Sequence, residues 1–275
     1  SAVSRQIQAL EQEVGTALFV RHTRSVELSA AGAVLLRATQ PALEGVDNAV
    51  RQIRQSLGRQ SVTITTWASF ASLWLIPRLE AFQQAHPDID IRIDATDAAV
   101  DLATADVDLA LRYATPQAVV AGAEFLFGEQ LTPVASPWLL KAQPVHTLAD
   151  LAQCTLIEAG DAHRTQHLQY LTWQRWLDTF QPAGHKLAPK RWLYFNYANQ
   201  ILQAALTGQG VALARTPLVA DSLANGDLVE PLPGTRLSSP LGYWLVRAPR
   251  ANQRPEVRAF ANWLLAQAAD TRVAM

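Results

Sequence analysis

Leu36, Leu43, Val50 and Leu57 stand seven residues apart, and Val46 and Ile53 fall between them at the second apolar position of each repeat. A seven-residue apolar period marks a helix with a continuous seam. A strand alternates every second residue and cannot carry it. Thr39 takes the one polar place in the seam. Two readings follow. The helix pairs with a copy of itself, or it lies as an amphipathic helix on its own domain. Ser29-Ala30-Ala31-Gly32 supplies an N-cap, and Gly58-Arg59-Gln60-Ser61 ends the helix in a hinge. Pro41 predicts a kink or local break, because proline donates no backbone hydrogen bond and crowds the preceding turn.

Ahead of the seam, Ser1 to Glu11 reads as one short helix, with Val3, Ile7 and Leu10 at helical spacing. Val14, Leu18 and Phe19 continue the apolar surface past a turn at Gly15. The opposite face carries Ser1, Ala2, Ser4, Arg5 and Gln8. Small hydroxyls let a helix approach a DNA major groove closely, and Arg and Gln reach phosphates or base edges. Two short extended runs flank Arg21-His22-Thr23-Arg24, which forms a basic wing tip.

Ser4-Arg5-Gln6-Ile7, Leu10-Glu11, Gly15, Leu18-Phe19, Arg21, Leu28-Ser29 and Ala31-Gly32, in this order, resemble the winged helix-turn-helix of LysR-type transcriptional regulators. The resemblance implies that Ser1, Ala2, Ser4, Arg5, Gln8, Arg21 and Arg24 meet DNA. It also implies that the seam helix joins two winged domains. The family places two further helices before this one, and the chain begins at Ser1 without an initiator methionine. The expectation is therefore an N-terminally incomplete copy, with DNA binding a property of the parent protein.

Net charge is −1, with 49% hydrophobic and 17% charged residues, a balance that argues against disorder. The charge is uneven. Arg21, Arg24, Arg51, Arg54 and Arg59 lie early, while Asp88, Asp90, Asp94, Asp97, Asp101, Asp106 and Asp108 crowd a later stretch. A small basic head on a near-neutral body fits a regulator that also binds something else. The one cysteine, Cys154, sits among apolar neighbours and reads as a buried small hydrophobe. No apolar run approaches the roughly 20 residues of a membrane helix, and the expected compartment is the cytoplasm.

From Ser61 the pattern becomes alternating strands and helices. Val62–Thr66, Ile89–Asp94 and Val107–Tyr113 read as strands around a helix within Ser69–Ala85. Phe125–Phe127 and Leu131–Ala135 read as two extended runs around Gly128. Thr155–Ile157, a helix at Trp173 and Trp176, Trp192–Phe195 and a helix through Ala205 begin a second unit. Val211–Ala214, a helix to Leu223 with Thr216 as N-cap and Pro217 at the first helical position, a short strand at Leu228-Val229, Gly242–Val246 and a helix from Pro255 to Ala268 complete it. Two α/β halves with extended connections suggest a clamshell with ligand in the crevice at the strand ends.

This part is similar to the LysR effector-binding domain, which has the type 2 periplasmic-binding-protein fold. Leu75-Ile76-Pro77-Arg78-Leu79, His86-Pro87, Asp108–Tyr113, Pro133–Pro137 and Gly208–Leu213 carry the resemblance. They look closest to the branch of the glycine-cleavage activator and the β-lactamase regulator. The expected architecture is α/β. Residues 1–28 form a partial winged domain and 29–60 a dimerisation helix. Residues 61–130 with 239–275 form one lobe, and 131–238 the other.

The cleft candidates follow strand ends and helix starts: Thr66, Trp67, Ser69, Phe70, Thr96, Tyr113, Thr132, Pro133, Phe195, Asn196, Tyr197, Thr216 and Tyr243. For each, a structural role and a ligand role stay open. Ser69 is either an N-cap or a seat for a carboxylate. His163 and His167, four apart, are possible metal ligands, but no third ligand stands nearby, so a solvated face is the preferred reading. Gly208-x-Gly210 precedes a strand and is a turn, not a dinucleotide fingerprint. Asp106 reads as a turn residue and Asp108 as an orienting partner of its strand. No catalytic constellation is found, and no cofactor is expected. The expected partners are operator DNA, a small-molecule effector and a second copy of the chain, and the family reading also admits RNA polymerase. The alternatives are a solute-binding protein with the same clamshell and, third, an enzyme.

Overall fold

The computed structural model describes residues 2–22, 25–56, 60–96, 100–103, 105–160, 168–182, 187–249 and 251–274. The chain forms two compact units, Ser1–Arg59 and Gln60–Met275.

The first unit comprises α1 (Ala2–Val14), the hairpin of β1 (Phe19–Arg21) and β2 (Val26–Leu28), and α2 (Ala30–Ser56). Leu18, only 3% exposed, is its centre. Glu11 reaches from α1 to accept the backbone N–H groups of Leu18 (2.8 Å) and Phe19 (3.2 Å), which fixes the turn into β1. Ser29 caps α2 as its sequence predicts, accepting the N–H of Gly32 at 3.0 Å, and its own hydroxyl donates to the Ala17 carbonyl at 2.7 Å. Gly32 is required here, because a Cβ would stand 2.1 Å from the Leu18 carbonyl oxygen. The α2 helix runs through Pro41 without the expected break. The Thr39 hydroxyl folds back onto the Leu35 carbonyl at 2.9 Å. Leu36, Leu43, Val46 and Val50 are all exposed. Leu57, Gly58 and Arg59 lie outside the described residues, as do the side chains of Ile53, Arg51 and Arg54.

The second unit is built on one eight-stranded sheet. It contains β3 (Gln60–Thr66), α3 (Ala68–Phe70), α4 (Leu79–Ala85), β4 (Ile89–Ala95), β5 (Leu109–Ala114) and β6 (Glu124–Val134). Then follow α5 (Pro137–Ala142), β7 (Thr155–Ala159), α6 (Trp173–Phe180), β8 (Arg191–Phe195), α7 (Ala198–Leu206), β9 (Val211–Arg215), α8 (Thr216–Ala224), β10 (Leu237–Arg247) and α9 (Pro255–Ala274). The strand order is β4-β3-β5-β10-β6-β9-β7-β8. At one end β3 runs parallel to β4 and β5, and at the other β7 runs parallel to β8 and β9. These are the two α/β halves. The antiparallel pair β6 and β10 passes between them, and β10 with α9 returns the chain to the first half.

Asp108, a singled-out position, takes the orienting role. Its carboxylate accepts the Thr63 N–H at 2.9 Å and Arg254 at 2.7 Å, which ties β3, β5 and the start of α9 together. Trp173 and Trp176 are fully buried under the second half, and their indole N–H groups donate to the carbonyls of Ile157 and Thr235. Several expectations need correction. Glu124–Val134 is one continuous strand across Gly128, because β10 pairs with it on both sides of that glycine, and Ala135 falls just beyond it. Leu228-Val229 makes only an isolated bridge from Val229 to Ala135. The last helix extends to Ala274, held by Trp74, whose indole donates to Thr271 at 2.9 Å.

Candidate functional site

In the first unit, Arg5 and Gln8 lie exposed on α1, and Ser4 is half-buried beside them. Ala2 opens the helix, and Arg21 ends β1 in solvent. Ser1 and Arg24 lie outside the described residues. The apolar residues Val3, Leu10 and Val14 are also exposed on α1.

In the second unit, the carboxyl ends of the parallel strands supply the candidate groups. Thr66 ends β3, and its hydroxyl is buried without a hydrogen-bond partner among the described residues. Trp67 follows and caps the next helix with its backbone alone, so Ser69 is inside the first turn rather than the N-cap. That turn leads into a π-helical stretch, Ala71–Leu75, a widened geometry that is often found at functional positions. In the second half Phe195 ends β8, Asn196 is exposed, and Tyr197 is the residue before α7. The two halves meet directly. The Ser69 hydroxyl donates to Asn199 Oδ1 at 3.2 Å, and the Asn199 N–H donates to Ser69 Oγ at 3.3 Å. Asn199 was not among the candidates. A second link joins the halves, with Arg78 gripping both oxygens of Asp221 at 3.1 and 2.9 Å.

Behind this junction lies a buried polar cluster. The hydroxyls of Tyr113 on β5 and Tyr243 on β10 both donate to Glu129 on β6, the latter at 3.0 Å. Arg215, at the end of β9, lies with its guanidinium 4.9 Å from the Tyr113 ring centre and hydrogen-bonds Tyr243. Burial pushes the Glu129 carboxyl above its ordinary value, with Arg215 and the tyrosine hydroxyls opposing. Burial, then the charge of Glu129, raises both tyrosines well above theirs, so they stay neutral donors. Burial disfavours the Arg215 cation, but Tyr113, Tyr243 and Glu129 together outweigh it and hold the charge firmly. Neither Glu129 nor Arg215 was singled out from sequence.

The remaining candidates have structural partners. The Thr132 hydroxyl donates to Glu230 at 2.6 Å, and Glu230 is held in turn by Arg236. Thr216 is the first residue of α8 rather than its N-cap, since Arg215 takes that place, and its hydroxyl accepts the Gln130 N–H at 3.0 Å. Phe70 is core, packed on Trp74, Phe127 and Tyr243. The Thr96 N–H donates to the Thr66 carbonyl, and Pro133 is buried in β6. His163 and His167 lie outside the described residues. A cavity of about 20 Å³ lies where Leu73, Leu131, Leu213 and Arg215 converge. An open groove of about 600 Å³ runs from Leu73 along the Gln200 and Gln203 side of α7.

Residues 55–269 match the LysR substrate binding domain, and residues 1–33 match the bacterial regulatory helix-turn-helix protein, lysR family. The chain belongs to the LysR family. The glycine cleavage system transcriptional activator of Escherichia coli K12 is 34% identical over 270 residues, 98% of this chain and 85% of that protein. The transcriptional activator AmpR of Pseudomonas aeruginosa is 33% identical over 271 residues, 98% of this chain and 86% of that one. The solved effector domain of the same AmpR superposes with a TM-score of 0.59 at 32% identity, covering 78% of this chain and 98% of that domain. CrgA, a LysR-type transcriptional regulator from Neisseria meningitidis, shares the fold, with a TM-score of 0.58 at 20% identity over 97% of this chain and 89% of that one. This LysR protein is thus a transcriptional regulator with a DNA-binding segment and an effector-binding domain. The match of residues 1–33 disfavours a solute-binding protein. Among the described residues, no helix is long and apolar enough to cross a membrane.

Proposed function

We propose that the second unit closes on a small-molecule effector between its two halves, and that this closure controls how the winged segment engages a two-fold-related operator. The observation that carries the reading is the Ser69–Asn199 pair, in which polar groups at the strand ends of both halves meet. A ligand contacting one half alone has no preference for the closed arrangement, whereas one contacting both does. The exposed seam of Leu36, Leu43, Val46 and Val50 supports α2 as the joint between two copies. Residues 61–130 with 239–275 then act as one lobe and 131–238 as the other. Asn196 and Tyr197 stand on the approach to the same junction. The protein acts in the cytoplasm and carries no catalytic activity of its own.

A thermal-shift screen of the chain against metabolites tests the effector reading. A binder raises the melting temperature by mass action, and Ser69→Ala and Asn199→Ala should each reduce that rise at a fixed ligand concentration while leaving operator binding in place. An unchanged rise in both variants would place the ligand elsewhere. For DNA, Arg5→Ala should weaken operator binding and relax sequence preference. Arg24→Ala should weaken all DNA binding and lower the salt slope by about one. Equal operator affinity of both variants and wild type would reject the interface.

A further inference from the structure

Arg112, Arg175 and Arg272 spend donors on backbone carbonyls, and four other arginines of the second unit form ion pairs, whereas among the described residues Arg215 does neither. Arg78 grips Asp221, Arg236 grips Glu230, Arg247 meets Glu124, and Arg254 meets Asp108 and Glu256. None of the ion pairs among the described residues includes Arg215. Among the described residues its neighbours are the Tyr243 hydroxyl and the face of the Tyr113 ring. Glu129 stands near, but its oxygens take the hydroxyls of Tyr113 and Tyr243, and Ser239 adds a third donor. The carboxylate offsets the cation through space and does not fill its fork. A guanidinium carries five N–H donors in one plane, and most of those on Arg215 meet no acceptor among the described residues.

The residue is half-buried and lines the cavity where Leu73 of the first half, Leu131 of the crossing strand and Leu213 of the second half meet. A second polar group without a partner among the described residues stands at the end of β3. Thr66 is 1% exposed and its hydroxyl has no partner among the described residues, and Trp67, the next residue, meets the Tyr113 ring edge-on at 5.9 Å. Tyr113 is therefore flanked by a cation with open donors and by the strand end that holds the orphaned hydroxyl.

We propose that Arg215 is the specificity-determining residue of the effector cleft and receives the carboxylate of a small, partly apolar monoanion, while Glu129, Tyr113 and Tyr243 hold the guanidinium in place. The inference rests on the cleft reading above. A planar fork matches a carboxylate with two parallel hydrogen bonds. A phosphate dianion would need more positive charge than one cation already partly offset by Glu129. The leucines around Arg215 suit a short hydrocarbon portion.

The test is calorimetric melting of the full chain with two- to five-carbon monocarboxylates, each beside its primary amide at matched ionic strength. At least one acid should raise the melting temperature dose-dependently while its amide does not. Arg215→Met should weaken that acid at least tenfold. Removing Arg215 alone leaves Glu129 without its counter-charge, so the double variant Glu129→Gln/Arg215→Met, with both charges gone, should melt cooperatively and show the same loss. Ser69→Ala should lower affinity but keep the preference for acid over amide. The proposal is overturned if no acid acts, if amides act equally, or if the folded Arg215 variants respond like wild type. In that last case, a response lost in Ser69→Ala would keep the cleft and strike out Arg215. A response indifferent to Ser69 as well would strike out the cleft.

Discussion

Asp108→Ala should loosen the first half of the effector-binding unit by an amount that can be worked out group by group. The carboxylate, in a residue 7% exposed, accepts the Thr63 N–H and one arm of Arg254. Truncation strands the Thr63 N–H, at about 1–3 kcal/mol for a buried donor. Arg254 fares better, since it still meets Glu256 at 2.8 Å and the Ser61 carbonyl, and its side chain is 36% exposed. Its lost bond adds only about 1 kcal/mol after solvent screening. The sum is about 2–4 kcal/mol. Asp108→Asn keeps an oxygen for Thr63 and should cost about 1 kcal/mol. Urea unfolding followed by tryptophan fluorescence reads this unit selectively, because all 8 tryptophans follow residue 60. With a slope of about 3 kcal/mol per molar urea, the midpoint should fall by about 1 M for alanine and a few tenths for asparagine. Alanine and asparagine variants with equal midpoints would refute the argument that the acceptor for Thr63 dominates.

Two other perturbations probe different parts of the molecule. Val50→Asp should lower self-association of the chain in sedimentation, because a charge in an apolar seam is costly to bury; an unchanged association constant would mean the seam serves its own chain. Burial raises the Glu129 carboxyl, so the folded state holds that proton more tightly than the unfolded one, and stability falls as pH rises from the ordinary carboxylate value through the raised one. Glu129→Gln should lack this falling component, and parallel stability curves for the two proteins over roughly pH 4 to 8 would contradict it.

The sequence disclosed what depends on repetition or local chemistry. The seam, the Ser29 cap and the alternation of strand and helix are written in neighbouring residues. The Asp108 role was legible because a lone carboxylate opens an apolar strand. The decisive pairings of the cleft were not legible, since Ser69 and Asn199 are 130 residues apart. Glu129 did leave a trace. It shares one face of β6 with Phe127 and Leu131, both buried, and a carboxylate at an inward position must find donors. Reading Gly128 as a break between two runs hid that alternation. Arg215 was masked by Thr216-Pro217, whose turn chemistry explained the strand end without it.

The return of β10 and α9 to the first half bears on the order in which the molecule is completed during synthesis. The second half, from β7 to β9, is contiguous in the chain and can settle once its own residues have emerged. The first half cannot. Its β5 has β3 on one side but lacks its second neighbour until Leu237–Arg247 arrives, and Trp74 lacks its buried acceptor until Thr271 does. The half translated earlier is therefore finished last, and a nascent chain stopped short of α9 would expose the faces of Phe82 and Trp74 that the final helix covers.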